Sequence, residues 1–174
     1  FCDRAVAVVI TRSESNSIGI LNSQFHSEGK HAKELSLIGP STGRWVPEIM
    51  KENNPEDTSY YPFMNGQFVF KNAVVRFTEV INAGLKKAGW KPNEIDMLIP
   101  HQANLRIAQF VQKKFGLSDN QVYNNIQRYG NTTAASIPIA LTEAWEEGKI
   151  EKGNKVVLAA FGSGFTWGSI MIQW

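Results

Sequence analysis

The pattern of apolar and polar residues divides this chain into an amino-terminal strand, a long irregular tract and a regular succession of helices and strands. Residues 5–10 are continuously apolar and rich in β-branched side chains, which is typical of a strand buried on both faces. From residue 11 to about residue 65 Ser, Asn, Gly and Pro dominate, with short strand candidates at 18–21 and 35–38. We interpret this tract as a functional excursion or a covering flap.

Regular elements follow Gly66. Apolar residues recur with helical spacing from Val74 to Ala88, and Gly89 followed by Pro92 predicts the end of that helix. The same reasoning predicts a strand at 95–99, a helix at about 103–115, a strand at 122–126, a helix at about 135–147, and strands at 155–161 and 165–174. Strands that alternate with helices and end in a hairpin indicate an α/β fold with a mixed sheet.

The helix predicted at 103–115 has an apolar face and a polar face. Its inward side should carry Leu105, Ala108, Val111 and Phe115, and its outward side Arg106, Gln109 and Lys113.

Composition limits the classes of protein that fit. The chain of 174 residues is long enough for one domain, and its net charge of +2 is too small for a nucleic-acid-binding protein. The single cysteine, Cys2, excludes an internal disulfide and favours a reducing compartment. The three histidines lack metal-ligand spacing, and no apolar run is long enough to span a membrane. Because a buried strand rarely begins a chain, and the first residue is Phe1, we expect a segment of a longer protein.

Polar or glycine-rich turns follow three of the predicted strands. They are His101, Gly130 with Asn131, and residues 162–164. If the strands are parallel, these turns meet at one edge of the sheet, where α/β proteins bind ligands. Each turn has a purely structural alternative as a strand cap, a left-handed turn or a hairpin. Their occurrence at matching positions favours a site.

The residues at these turns can stabilise an oxyanion. A histidine ahead of a helix N-terminus has a lowered pKa, so a neutral His101 donates one N–H and the Asn131 amide donates another. Two donors directed at one carbonyl oxygen stabilise an enolate, and backbone N–H groups at 162–164 could serve a second oxyanion. No nucleophile is evident, because Ser163 lacks Gly-x-Ser-x-Gly spacing and Cys2 has no base paired with it.

Four motifs carry a resemblance to a known family. The sequences at 64–71, 100–107, 129–136 and 161–168 closely resemble the carboxyl-terminal half of β-ketoacyl-acyl-carrier-protein synthase III, and the match runs through nearly the whole chain. The resemblance implies a thiolase fold in which residues 1–174 form a single carboxyl-terminal domain, with a mixed five-stranded sheet covered by helices.

The resemblance also implies an activity and a site. The family condenses an acyl-coenzyme A with malonyl-acyl-carrier protein (malonyl-ACP) to start fatty-acid synthesis, using a Cys-His-Asn triad. His101 and Asn131 correspond to the second and third members and would stabilise the enolate formed by decarboxylation. The nucleophilic cysteine lies in the amino-terminal half, so this chain alone should be inactive. The backbone N–H of Ser163 would complete an oxyanion hole.

Other residues correspond to binding positions of the family. Arg106, with Lys113, would dock the acidic acyl carrier protein, and Asn104 and Phe70 would line the channel for the pantetheine arm. The resemblance further implies no cofactor, a homodimer in the cytoplasm, and neither nucleic-acid nor membrane partners. Structural alternatives remain open: Arg106 and Lys113 could simply form a solvated helix face, and Phe70 could be a plain core residue.

The start of the chain departs from the family pattern. Relatives read Phe-Gly-Asp-Gly-Ala where this chain has Cys2 and Arg4 in place of the two glycines.

Two alternative functions also stay open: a non-catalytic module that docks a carrier protein, and a thiolase-fold acyltransferase that uses another acceptor.

Overall fold

The computed structural model of the protein describes residues 2–13, 15–37 and 61–174. The strand candidate at 35–38 is therefore only partly described, and residues 38–60 lie outside the described ranges. The strands are β1 Gly19–Ser27, β2 Leu35–Ser36, β3 Phe63–Met64, β4 Met97–Pro100, β5 Lys155–Gly162 and β6 Thr166–Gln173. The helices are α1 Gly66–Ala88, α2 Leu105–Phe115, α3 Ile126–Tyr129 and α4 Ser136–Glu146, and short 3₁₀ turns lie at Gly29–Glu34, Pro92–Glu94, Asp119–Gln121 and Thr133–Ala135.

The main sheet is mixed, with the strand order β1-β6-β5-β4. β4 runs parallel to β5, whereas β6 pairs antiparallel with both β5 and β1. β2 and β3 form a separate two-stranded antiparallel pair. The predicted α/β class and mixed sheet are confirmed, and the parallel β4–β5 pair places the carboxyl ends of both strands at the same edge.

The predicted buried strand at 5–10 is wrong. These residues are exposed and form no helix or strand. A continuous apolar run indicates burial, but a strand forms only where another strand pairs with it, and no strand of the described residues pairs with this one. The predicted strand at 18–21 is confirmed from Gly19 onward, and β1 extends it to Ser27.

The predicted strand at 122–126 is also wrong, since only an isolated bridge joins Val122 to Leu98 and helix α3 begins at Ile126. The physical reason is a side chain: Gln102 Oε1 accepts the backbone N–H groups of Asn125 and Ile126, at 3.0 and 3.2 Å, which removes them from any strand ladder. The main sheet therefore has four strands among the described residues, where five were expected.

Helix α1 forms the centre of the larger core, as its spacing predicts. Ala73, Phe77, Ile81 and Leu85 are buried along one face and pack toward β5 and β6. The helix ends at Gly89, whose left-handed φ of 71° closes it at the predicted position. No helix in the described ranges is both long enough and apolar enough to cross a membrane.

Helix α2 matches its predicted faces at most positions. Ala108 and Val111 are buried, and Arg106, Gln109 and Lys113 are exposed. Leu105 was predicted to face inward, but it is 40% exposed. It is the first residue of the helix, where the chain has just left the sheet.

Candidate active site at the carboxyl ends of β4 and β5

His101 lies at the carboxyl end of a strand, as the sequence predicts. β4 is buried along its whole length, and Pro100 pairs with Ala159 of β5. The backbone N–H of His101 donates to the carbonyl of Ala159 at 2.8 Å, which continues the parallel ladder for one more residue. The chain then turns, and the Asn104 side chain caps α2 by accepting the backbone N–H of Arg106 at 2.9 Å.

Among the described residues, the imidazole of His101 hydrogen-bonds to one side chain, that of Ser136. Nδ1 lies 2.6 Å from the Ser136 hydroxyl oxygen, at the first residue of α4. Burial of the ring lowers the pKa of His101 below its usual value. The direction agrees with the prediction, but the cause is burial of the ring, whereas the sequence suggested the dipole of the following helix.

Asn131 occupies a sharp turn that begins at Gly130, whose φ is 65° and ψ is −156°. Its Oδ1 accepts the backbone N–H of Thr133 at 2.8 Å. Within the described residues, no hydrogen bond uses Asn131 Nδ2, so the amide N–H₂ is left to donate elsewhere. The backbone of the same residue is held by Cys2, whose N–H donates to the Asn131 carbonyl at 2.9 Å.

The histidine and the asparagine turn are joined through Ser136. Ser136 follows Asn131 by five residues, through a short 3₁₀ turn, and its hydroxyl contacts the imidazole of His101. The geometry therefore brings together the segments of two predicted site residues.

Ser163 lies in the tight turn that joins β5 to β6, after Gly162 pairs with Thr166. Because β4 and β5 are parallel, this turn is at the same edge of the sheet as His101. The Ser163 carbonyl accepts the Thr166 hydroxyl at 2.9 Å, and none of the described turn and loop hydrogen bonds uses the Ser163 N–H. The residue is exposed.

The remaining predicted residues occupy α1 and α2. Arg106 and Lys113 are exposed on α2, and Phe70 is half-buried near the start of α1. Asn104 is exposed at the N-terminus of α2, where its Oδ1 is used by the cap and its amide N–H₂ faces no described partner. In the described ranges no hydrogen bond or aromatic contact joins Phe70 to His101.

Two residues that hold this edge together were not assigned roles by sequence reasoning. Gln102 is 3% exposed, and its amide donates to the carbonyls of Pro100 and Tyr123 at 2.7 and 3.3 Å. Ser136 is 2% exposed and bonds to His101. Both lie inside the motifs that carry the family resemblance, but nothing in an isolated motif distinguishes a bracing side chain from a reacting one.

A polar cluster around Glu143 fixes the segment that leads to Asn131. The Glu143 carboxylate accepts hydrogen bonds from Asn125 Nδ2 at 2.8 Å, from Arg128 at 2.7 Å and from the Tyr129 hydroxyl. Burial alone would raise the pKa of this carboxyl, but the hydrogen bonds from Asn125 and Tyr129 and the charge of Arg128 outweigh it and lower the pKa. Burial and the hydrogen bond to Glu147 raise the pKa of Tyr123 to about 12.

A cavity of about 460 Å³ lies beside this cluster, and Tyr123, Asn124, Arg128 and Lys149 are among its lining residues. None of the predicted site residues lines it. The cavity and the candidate site are therefore separate features of the described chain.

Comparison with known proteins identifies the family of this chain. Residues 85–174 match the family model described as 3-oxoacyl-[acyl-carrier-protein (ACP)] synthase III C terminal. A curated relative from Desulfotalea psychrophila, a β-ketoacyl-[acyl-carrier-protein] synthase III, is 42% identical over the whole chain, which covers 52% of the relative. A relative of the same name from Caldanaerobacter subterraneus is also 42% identical and is covered over 51% of its length.

The fold matches a solved structure of the same kind. The 3-oxoacyl-[acyl-carrier-protein] synthase III of Aquifex aeolicus superposes with a TM-score of 0.80 at 38% identity, over 94% of this chain and 47% of that protein. The chain thus spans about half the length of the relatives it matches. By sequence, by fold and by the family model, it belongs to the 3-oxoacyl-[acyl-carrier-protein] synthase III family and corresponds to its carboxyl-terminal half.

Proposed function

We propose that this chain is the catalytic carboxyl-terminal half of a synthase that condenses an acyl-coenzyme A with malonyl-ACP. The observation that carries the proposal is the 2.6 Å contact between His101 Nδ1 and Ser136, which ties the histidine to the segment that bears Asn131. Family membership supports the same reaction, because the named relatives are synthases of this type.

In the proposed reaction, His101 and Asn131 donate N–H groups to the thioester carbonyl of the malonyl group. The bond from the malonyl α-carbon to its carboxylate breaks and releases CO₂, and the electron pair moves onto the carbonyl oxygen as an enolate. The two donors stabilise that charge as it develops. The enolate carbon then attacks the acyl group, and a thiolate leaves.

We place the nucleophile that carries the acyl group outside these 174 residues. Cys2 is the only cysteine of the chain, and the family resemblance assigns it to a glycine position. The backbone N–H of Ser163 would serve the oxyanion formed at the acyl carbonyl, a role that depends on the backbone and so tolerates serine. Without the nucleophile no acyl-enzyme forms, and the chain alone should not condense.

The substrates should reach the site past α2. Arg106 and Lys113 present positive charge at the exposed side of this helix, which suits the acidic carrier protein. The N–H₂ group of Asn104 and the ring of Phe70 would contact the pantetheine arm. The proposal treats acyl-coenzyme A and malonyl-ACP as substrates, needs no resident cofactor, and takes the complete enzyme to be a cytoplasmic homodimer.

The proposal can be tested by joining the amino-terminal half of the Aquifex aeolicus relative to this chain. The joined protein should form 3-oxoacyl-ACP from a series of acyl-coenzyme A substrates and malonyl-ACP, and the 174-residue chain alone should form none. His101→Ala should abolish the product, while Asn82→Ala, at an exposed position of α1, should not. A folded joined protein without product, or product from the chain alone, would refute the proposal.

A further inference from the structure

The hydrogen-bond partners of Ser136 determine where its hydroxyl proton lies. The hydroxyl oxygen is 2.6 Å from His101 Nδ1 and accepts the backbone N–H of Gln102 at 3.3 Å. A backbone N–H can only donate, so this bond uses a lone pair of the serine oxygen. A hydroxyl has one proton to donate and two lone pairs to accept with.

Burial excludes water as a ready partner for that proton. Ser136 is 2% exposed, and among the described residues its hydroxyl makes no hydrogen bond besides these two. If His101 Nδ1 carried the proton and donated it to Ser136, the serine proton would be left buried without an acceptor. Such unsatisfied buried donors are strongly disfavoured.

We propose that Ser136 is a positioning residue that donates its hydroxyl proton to Nδ1 of His101 and so holds the neutral ring in the tautomer with its proton on Nε2. All three partners are then satisfied: Gln102 donates to Ser136, Ser136 donates to His101, and Nε2 retains an N–H for the site. Burial of the imidazole favours the neutral ring in which this choice between tautomers exists.

The side chain of Asn131 is oriented by a hydrogen bond in the same way. Asn131 Oδ1 is occupied by the Thr133 N–H, so the amide presents its N–H₂ rather than its oxygen. A local partner thus engages the acceptor atom of each side chain and leaves an N–H donor on each. The value of this arrangement for catalysis rests on the proposed function, which requires two donors at one oxygen.

The tautomer can be measured on the 174-residue chain by ¹⁵N NMR of labelled histidine side chains above the pKa of the ring. The His101 signals are identified by their loss in His101→Gln. We expect the wild-type spectrum to show protonated Nε2 and unprotonated Nδ1, with the Nδ1 signal displaced by an accepted hydrogen bond. A proton on Nδ1 would overturn the proposal, and this spectrum alone decides it even where a variant does not fold.

Two variants test whether Ser136 is the cause. Ser136→Ala should shift the Nδ1 signal toward that of a free imidazole nitrogen and allow a measurable Nδ1–H population. Ser169→Ala is the matched control, because Ser169 is 1% exposed and its hydroxyl donates to the Val80 carbonyl at 2.9 Å instead. The control should leave the His101 signals unchanged. An unchanged Nδ1 signal in Ser136→Ala would overturn the proposal.

This measurement is independent of the reaction. The Nε2–H tautomer in a joined protein that forms no product would refute the proposed function and leave the role of Ser136 standing. An active joined protein with the proton on Nδ1 would support the proposed function and overturn the role of Ser136.

Discussion

The side chain of Gln102 accepts the backbone N–H of Asn125 at 3.0 Å and so joins the end of β4 to the segment that leads to Asn131. The same oxygen accepts the Ile126 N–H, and the amide nitrogen donates to the carbonyls of Pro100 and Tyr123. One buried side chain therefore makes four hydrogen bonds to main chain on two segments. These bonds hold the end of β4, beside His101, against residues 123–126.

Gln102→Leu should destabilise the chain strongly. It leaves buried N–H and carbonyl groups without partners, and each such group costs about 1–3 kcal/mol, so we expect a loss of at least about 2 kcal/mol in the free energy of unfolding. Denaturant unfolding measures this loss of stability. Gln109→Leu, at an exposed position of α2, is the control and should change stability little. Equal effects at the two positions would show that the Gln102 hydrogen bonds do not matter.

Glu143 should make stability depend on pH in the acidic range. Its pKa in the folded chain is lowered, so the unfolded chain binds more protons between that pKa and the ordinary value of about 4.3. The contribution of Glu143 to the free energy of unfolding is therefore complete above about pH 4.3 and falls as the pH drops toward the folded pKa. Glu143→Gln should flatten this dependence and cost about 1–3 kcal/mol at neutral pH, as measured by urea unfolding.

The neighbouring Glu146 supplies the control for this prediction. It is exposed on the same helix, so Glu146→Gln should leave the free energy of unfolding at neutral pH nearly unchanged. A Glu143→Gln variant as stable as this control would mean that the cluster does not hold α3 against α4.

His101 should produce a second pH dependence at higher pH. Burial lowers its pKa in the folded chain, so the unfolded chain binds more protons between that pKa and about 6.5. The contribution of His101 to the free energy of unfolding should be complete above about pH 6.5 and fall as the pH drops through this interval. Urea unfolding at a series of pH values should show a flatter dependence there for His101→Gln. Glu143→Gln should keep the pH dependence in this interval. Loss of the dependence in both variants would contradict its assignment to His101.

Arg106 should contribute to carrier-protein affinity in the joined protein. Arg106→Glu replaces attraction by repulsion and should raise KM for malonyl-ACP about tenfold, while KM for acyl-coenzyme A stays nearly constant. The effect should shrink as salt increases. Steady-state kinetics with Lys87→Glu, at an exposed position of α1, gives the charge-matched control. The same rise in both variants would indicate a general charge effect instead of docking at α2.

The sequence predicted the elements whose pattern is local. The spacing of α1, the left-handed Gly89 that ends it, and the β5–β6 hairpin follow from periodicity and turn chemistry, and all are confirmed. The strand predicted at 5–10 does not form, and its residues are exposed, because an apolar run is buried in a sheet only where another strand pairs with it. The local pattern carries no information about that pairing strand. The strand predicted at 122–126 does not form because the side chain of Gln102, more than 20 residues earlier, accepts the backbone N–H groups of Asn125 and Ile126.

The placement of some candidate site residues could be predicted for the same reason. His101 is recognisable because it ends a buried strand, and Ser163 because the hairpin places it at the same edge. Ser136 is not, because its contact with His101 spans 35 residues and depends on how α4 packs. Motifs indicate candidate residues, whereas the proton that each side chain carries is inferred from its hydrogen-bond partners in three dimensions.

The central claim is that His101 and Asn131 act together on one carbonyl oxygen. The most direct test is a double-mutant cycle in the joined protein, with the rate of malonyl-ACP decarboxylation and condensation as the readout. Each of His101→Ala and Asn131→Ala should lower the rate by about 10²–10³, and the double variant should be little worse than the poorer single variant. Near-wild-type activity in either single variant would contradict the claim. A rate loss in the double variant equal to the product of the two single-variant losses would also contradict it.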